Sequence, residues 1–187
     1  MVARYFDHAA TTPCDARVRE EMLPYFGEKY GNPSSIHSAG IRARAAVDLA
    51  RLQLSMLLKV DPEEIIFTSG ATESANAVIA AFDDIAISPF EHSAVREPAL
   101  LKDSQIYPNK GYDLLGSVRQ PKLSCVMSVN NETGAFIHQP DTSASTLIDA
   151  TQAIGKGLPI ELGDYTIGSA HKFGGPQGVG FLVAKNG

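Results

Sequence analysis

The chain has 187 residues, 44% of them hydrophobic and 20% charged, with a formal net charge of -5 at pH 7. This is an ordinary globular composition, which predicts a single domain over residues 1–187. The acidic balance gives no electrostatic basis for nucleic acid or an anionic membrane as a partner, so small anions have to be bound locally. No apolar run nears the roughly 20 residues of a membrane span, and Met1–Asp7 lacks the apolar core of a signal peptide. A cytoplasmic location is the expectation. Cys14 and Cys125 are too few and too isolated for a disulfide framework or a zinc site.

In chain order, Tyr5–Pro13 is small, polar and closed by proline, so it reads as an extended entry segment. Asp15 is placed to cap a helix from Ala16 to Phe26, in which Val18, Met22, Leu23 and Phe26 recur at helical spacing and Pro24 kinks or ends the run. After the loop Gly31–Ser35, a long helix is predicted from Ser35 to Lys59. Its buried face should carry Ala39, Ala43, Ala46, Ala50, Leu54, Leu57 and Leu58, and Asp61-Pro62 should stop it. Glu64–Thr68 reads as a strand, Ser69–Ser74 as a tight turn and Ala75–Phe82 as a helix. A glycine in such a turn, followed by the free N–H groups of a first helical turn, makes an anion site. Equally, Ser69 or Thr72 could simply cap that helix, with Glu73 completing the cap.

Further strands are expected at Ile85–Ser88, Gln105–Tyr107, Leu123–Val129, Thr146–Asp149, Tyr165–Ile167 and Gly178–Ala184, with a helix from Ser93 to Lys102. The crossover from Glu132 to Ser145 is barely long enough to hold a helix. Many of these strands end in polar residues: Thr68-Ser69, His92, Asn131, Asp149 and Ser169–His171. In an open α/β sheet ligands bind beyond the carboxyl ends of the strands, so these tips should meet in one crevice.

Lys172 sits among small residues between an apolar run and the turn Gly174-Gly175-Pro176. That packaging suits an amine held still against a carbonyl carbon. A lysine that bonds an aldehyde, a carboxylate that pairs with a pyridine nitrogen and a helix start that holds phosphate together describe pyridoxal phosphate chemistry. Taken singly, Asp149 could be a turn or capping residue, and His92 an ordinary core or surface histidine.

Seven segments occur in the order seen in cysteine desulfurases of the class V aminotransferase group: Tyr5–Pro13, Gly31–His37, Phe67–Ser74, Glu91-His92, Val129–Gly134, Asp149–Gln152 and Ser169–Lys172. The chain resembles that family from residue 5 onward. The resemblance implies a three-layer α/β sandwich with a mixed, mainly parallel sheet of about six or seven strands, the large domain of a type I transferase dependent on pyridoxal 5'-phosphate. It implies that Lys172 is the Schiff-base lysine, Asp149 the partner of the pyridine nitrogen, His92 the residue stacked on the ring, and Gln152 a donor to the ring hydroxyl. Asn131 would lie beside the ring, while Ala71, Thr72, Ser169 and His171 would hold the phosphate. Lys172 or His92 would move protons during catalysis. No metal is implied.

The family's small domain, with its mobile-loop cysteine and its arginine for the substrate carboxylate, has no counterpart in these 187 residues. Cys125 falls inside an apolar strand and Cys14 at a helix start, so neither replaces that cysteine. The expectation is a cysteine desulfurase-like enzyme acting on cysteine or a related small amino acid. A partner chain or a free thiol would supply the missing nucleophile. A homodimer or a hetero-complex would bury apolar surface left open. Two alternatives stay open: another class V activity such as a transaminase, racemase or lyase, and a cofactor-binding protein that acts by assembly or regulation. A piece of a longer chain would give the same sequence.

Overall fold

The computed structural model describes residues 4–116 and 118–185. Among them are nine strands: β1 (Ile65–Thr68), β2 (Ile85–Ile87), β3 (Gln105–Ile106), β4 (Asn109–Lys110), β5 (Asp113–Leu114), β6 (Leu123–Met127), β7 (Ser145–Asp149), β8 (Tyr165–Ser169) and β9 (Gly180–Ala184). β4 and β5 form a separate hairpin; the other seven make one sheet in the order β1-β9-β8-β7-β6-β2-β3. Neighbours from β3 to β8 pair in parallel. β9 runs antiparallel to both β8 and β1, so β1 points the same way as the parallel set.

The apolar pattern explains the layers. β6 is buried along its whole length, as a central strand covered on both faces must be. In β7, β8 and β9, Leu147, Ile167 and Leu182 face α3 (Ala71–Ala80) and α4 (Ser93–Leu100). Their neighbours Ile148, Phe181 and Val183 face the other side, where Leu58 of α2 (Ser38–Leu58) and Ile154 complete a second core. Helix, sheet and helix thus form the three expected layers, with a sheet that is mixed and mainly parallel. α1 (Ala16–Met22) lies nearer the N-terminus and is capped by Asp15, whose Oδ1 accepts from the Arg17 amide. A 3-10 turn, Leu23–Phe26, takes over where Pro24 enters.

Two local expectations need correction. α3 starts at Ala71 rather than Ala75, and its cap is Gly70 rather than Ser69 or Thr72. The first amide of the helix instead donates to Ser169 Oγ at 2.8 Å, across 98 positions of sequence, while Glu73 folds back onto Ser69. α2 starts at Ser38, because His37 Nδ1 caps Gly40, and ends at Leu58, where Lys59 turns left-handed with φ 57°. The buried side of α2 is Gly40, Ala43, Ser55 and Leu58, whereas Ala50 and Leu57 are exposed. The helix touches the body near its two ends, at the Gly31–Ser35 loop and beside β1, so its middle apolar residues face outward with Met56 and Leu49. The β6–β7 crossover holds no helix, in keeping with its shortness. It is a turn closed by Asn130 and an isolated bridge between Val129 and Phe136.

Register brings the strand tips level. Thr68 pairs with Gly180 and Gly180 with Ser169, Asp149 pairs with Met127 and Ile167, and Ile87 pairs with Cys125. The segments that follow these tips all leave the same edge of the sheet.

Candidate active site

At that edge lies a cavity of about 500 Å³. Its lining includes all nine residues expected from the sequence: Lys172, Asp149, His92, Gln152, Asn131, Ala71, Thr72, Ser169 and His171. They arrive from five strand tips, those of β1, β2, β6, β7 and β8, which is why distant motifs become neighbours.

The wall that holds the lysine comes from the opposite part of the chain. Lys172 Nζ donates to the carbonyls of Ala9, at 2.6 Å, and Ala10, at 2.9 Å. The segment is strapped in place by Thr12, whose amide and hydroxyl both donate to His171 O and whose hydroxyl accepts from the Gly174 amide. Burial lowers the Lys172 pKa, with Asp149 and Asp7 acting against that shift. The amine is therefore held by neutral carbonyls and deprotonates more readily than a surface lysine. His171 Nδ1 lies 3.0 Å from Thr11 Oγ1, and burial together with Lys172 lowers its pKa. It is the neutral imidazole that faces the cavity near pH 7.

Asp149 ends β7 and is buried at 6% exposure, its Oδ1 accepting from the Thr151 amide. The carboxylate is thus oriented by backbone at the cavity floor. Behind it lies Glu91, whose Oε1 accepts from the Met127 amide at 2.7 Å and from the Ser88 hydroxyl. Burial pushes the Glu91 pKa up to about 8, and the charge of Asp149 adds to the rise. With two donors already on Oε1, the proton belongs on Oε2, which has no partner among the described residues. Glu91 is then the neutral acid near pH 7.

His92 caps α4, Nδ1 accepting from the Ala94 amide at 3.1 Å. That bond fixes the tautomer with its proton on Nε2. The Gln152 amide donates from Nε2 to Ala9 O at 2.8 Å. Asn130 Oδ1 accepts from the amides of Glu132 and Thr133, which organises the turn and leaves its neighbour Asn131 at the cavity wall.

The start of α3 forms the fourth wall. Ser169 Oγ receives the Ala71 amide, and the Thr72 side chain lines the space beyond. Gly180 must be glycine here, because a Cβ on it would lie 2.4 Å from Gly70 Cα. Thr151 Oγ1 is buried at the cavity and has no partner among the described residues. A helix start, an amine, a buried carboxylate and an unpartnered hydroxyl thus face one space, a donor set suited to a phosphorylated aromatic aldehyde.

Sequence reasoning missed five contributing residues. Ala9, Ala10 and Asp7 form the lysine's wall, and their only sequence signal was membership of a matching motif without an assigned role. Glu91 had the same signal, standing beside His92 in a matching motif, whereas Lys156 carried none, since a single lysine in a loop is ordinarily a solvated charge. Neither Cys14 nor Cys125 lines the cavity, and no arginine among the described residues does.

Three layers around a mixed, mainly parallel sheet match the fold of the pyridoxal-phosphate-dependent transferases. The family model described as aminotransferase class-V matches residues 4–187, and the chain belongs to that family. It is 36% identical over 220 residues to a cysteine desulfurase of Frankia sp. (strain EuIK1), covering 96% of this chain and 52% of that relative. Among solved structures it resembles a NifS-like protein with TM-score 0.89 and 35% identity, covering 98% of this chain and 59% of the other. It also resembles SspA in complex with cysteine, with TM-score 0.85 and 26% identity, covering 98% and 62%. The chain spans about half the length of the curated relatives it matches.

Proposed function

We propose that the cavity binds pyridoxal 5'-phosphate and serves a cysteine desulfurase-like reaction on cysteine or a related small amino acid. The observation that carries this reading is the convergence of Lys172, Asp149, Gln152, His92 and the α3 start on one cavity in a chain of this family. When bound, the group supplies an aldehyde carbon and an electron-withdrawing ring. Lys172 offers the amine to that carbon, its lowered pKa raising the neutral fraction near pH 7. Asp149 holds a proton at the ring nitrogen, and neutral Glu91 behind it leaves that carboxylate without a competing charge. His92 covers the ring and keeps Nε2 free to carry a proton. Ala71, Thr72, Ser169 and His171 bind the phosphate, Asn131 flanks the ring, and Gln152 donates to the ring oxygen.

The thiol that receives sulfur and the cation that binds the substrate carboxylate come from outside the described residues, since no cysteine or arginine of those residues lines the cavity. A partner chain or a free thiol fits that requirement. A homodimer or hetero-complex would also cover the exposed apolar side chains Phe26, Ile36, Met56 and Leu57.

The purified protein, given pyridoxal phosphate, should gain a visible absorbance band that Lys172→Ala lacks. Addition of cysteine with a reductant and a thiol acceptor should yield sulfide and alanine. A colourless wild-type protein refutes the cofactor reading. A coloured protein that yields neither product with any acceptor or partner chain refutes the desulfurase reading alone.

A further inference from the structure

Lys156 does not line the cavity, yet its Nζ donates to Gln152 Oε1 at 2.5 Å. The other end of that amide, Nε2, donates to Ala9 O at 2.8 Å. The same carbonyl accepts from Lys172 Nζ. Three side chains from two segments are therefore linked through one backbone oxygen of a third.

A glutamine amide can turn over, exchanging its oxygen for its NH2 at almost no change in shape. Turned over here, it would set NH2 against the Lys156 ammonium and its oxygen against Ala9 O, two repulsive pairs in place of two hydrogen bonds. The orientation is thus held from both ends. We propose that Lys156 is a positioning residue that keeps the Gln152 NH2 group on the cavity side, so that Gln152 meets the cofactor ring as a donor and never as an acceptor. This rests on the reading of the cavity as a pyridoxal phosphate site.

The backbone is shaped for this task. Residues 151–157 form a run of turns in which Gly155 and Gly157 take positive φ, 74° and 69°. A Cβ on Gly155 would lie 2.5 Å from Phe173 Cβ, so this turn seats directly against the residue that follows Lys172. Ala153 and Ile154 anchor it in the core at 0% and 6% exposure. Lys156 is exposed as a residue, which makes its replacement harmless to core packing, while partial burial of its amine and the nearby Lys172 lower its pKa.

With the cofactor bound, an N–H donated by Gln152 to the ring oxygen would stabilise that oxygen's anionic form and so ease loss of the neighbouring proton. Losing the donor therefore raises the pH at which the visible band titrates. The shift should be about one pH unit, the order of one hydrogen bond to a charged acceptor. The test loads wild type, Lys156→Met, Lys156→Arg, Gln152→Ala and the Lys156→Met, Gln152→Ala double variant with pyridoxal phosphate and titrates absorbance against pH. Lys172, Asp149, Asp7 and His171, the other charged or titratable groups around the amine, stay constant throughout.

Expected are equal upward shifts for Lys156→Met and Gln152→Ala, a return toward wild type in Lys156→Arg, and no further shift in the double variant. A wild type that takes up no chromophore, or a Gln152→Ala midpoint that does not move, overturns the underlying site reading and this proposal with it. A shift in Gln152→Ala with none in Lys156→Met overturns the positioning role alone. So does a double variant shifted further by the full Lys156→Met amount, because the lysine charge would then be acting directly.

Discussion

Glu91→Gln is a direct probe of the buried acid pair. Glutamine keeps the shape of the side chain and an oxygen for the Met127 amide and the Ser88 hydroxyl. In the unfolded chain Glu91 ionises near 4.5, and in the folded protein burial pushes that value to about 8. Between those limits folding takes up a proton, so the wild-type protein loses stability as pH rises through the window. The loss is complete above the folded value and absent below the unfolded one. Its slope is about 1.4 kcal/mol per pH unit, which gives an upper bound of roughly 5 kcal/mol over the window. Glu91→Gln has no such proton to take up. Urea unfolding of the cofactor-free proteins from pH 5 to 8 should show the variant gaining steadily on wild type, other groups cancelling in the difference. Parallel curves would mean that Glu91 is ionised in the folded state, which would refute the neutral acid inferred from its burial.

Ser169→Ala should cost about 1–3 kcal/mol by stranding the Ala71 amide, and should weaken cofactor retention; an unchanged melting temperature would contradict the role of that hydrogen bond. Gly155→Ala combines left-handed strain of about 1–2 kcal/mol with about 1–3 kcal/mol of overpacking against Phe173, read as a lower urea midpoint. A neutral result there would refute the close seating of the turn. In the folded protein a thiol reagent should modify exposed Cys14 at once and Cys125 only after denaturant is added, because burial raises the Cys125 thiol pKa and blocks access. Rapid reaction of both would refute the closed packing of β6.

Much of the fold is legible in the sequence because short apolar runs mark β6 to β9, and because a largely parallel sheet aligns its carboxyl tips. Polar residues such as Asp149 and Ser169, placed after such runs, therefore point to the site before any contact is known. Contacts between distant segments leave no such trace. The Ala71 amide finds Ser169 Oγ and the Lys172 amine finds Ala9 O at a separation of 163 positions, with no periodicity to announce either. The predicted cap on α3 fails for this reason: a local partner was at hand, but a strand hydroxyl from far along the chain took the amide. α2 misleads in another way. Its helical spacing is real, yet spacing alone does not say which turns meet the body, and Leu57 stays 80% exposed.

The strap between residues 9–15 and 171–174 also sets a temporal order. A contact spanning some 160 residues forms late, after the loop it closes has been ordered by shorter-range pairings. During synthesis, β1, β2, β6 and β7 can emerge while Ala9 and Ala10 still have no lysine to hold. A nascent chain halted before Tyr165 would possess the acid end of the cavity and lack both its amine and the serine that steadies α3. A cavity with both its acid and its amine therefore exists only in chains in which β8 and the segment after it have joined the sheet.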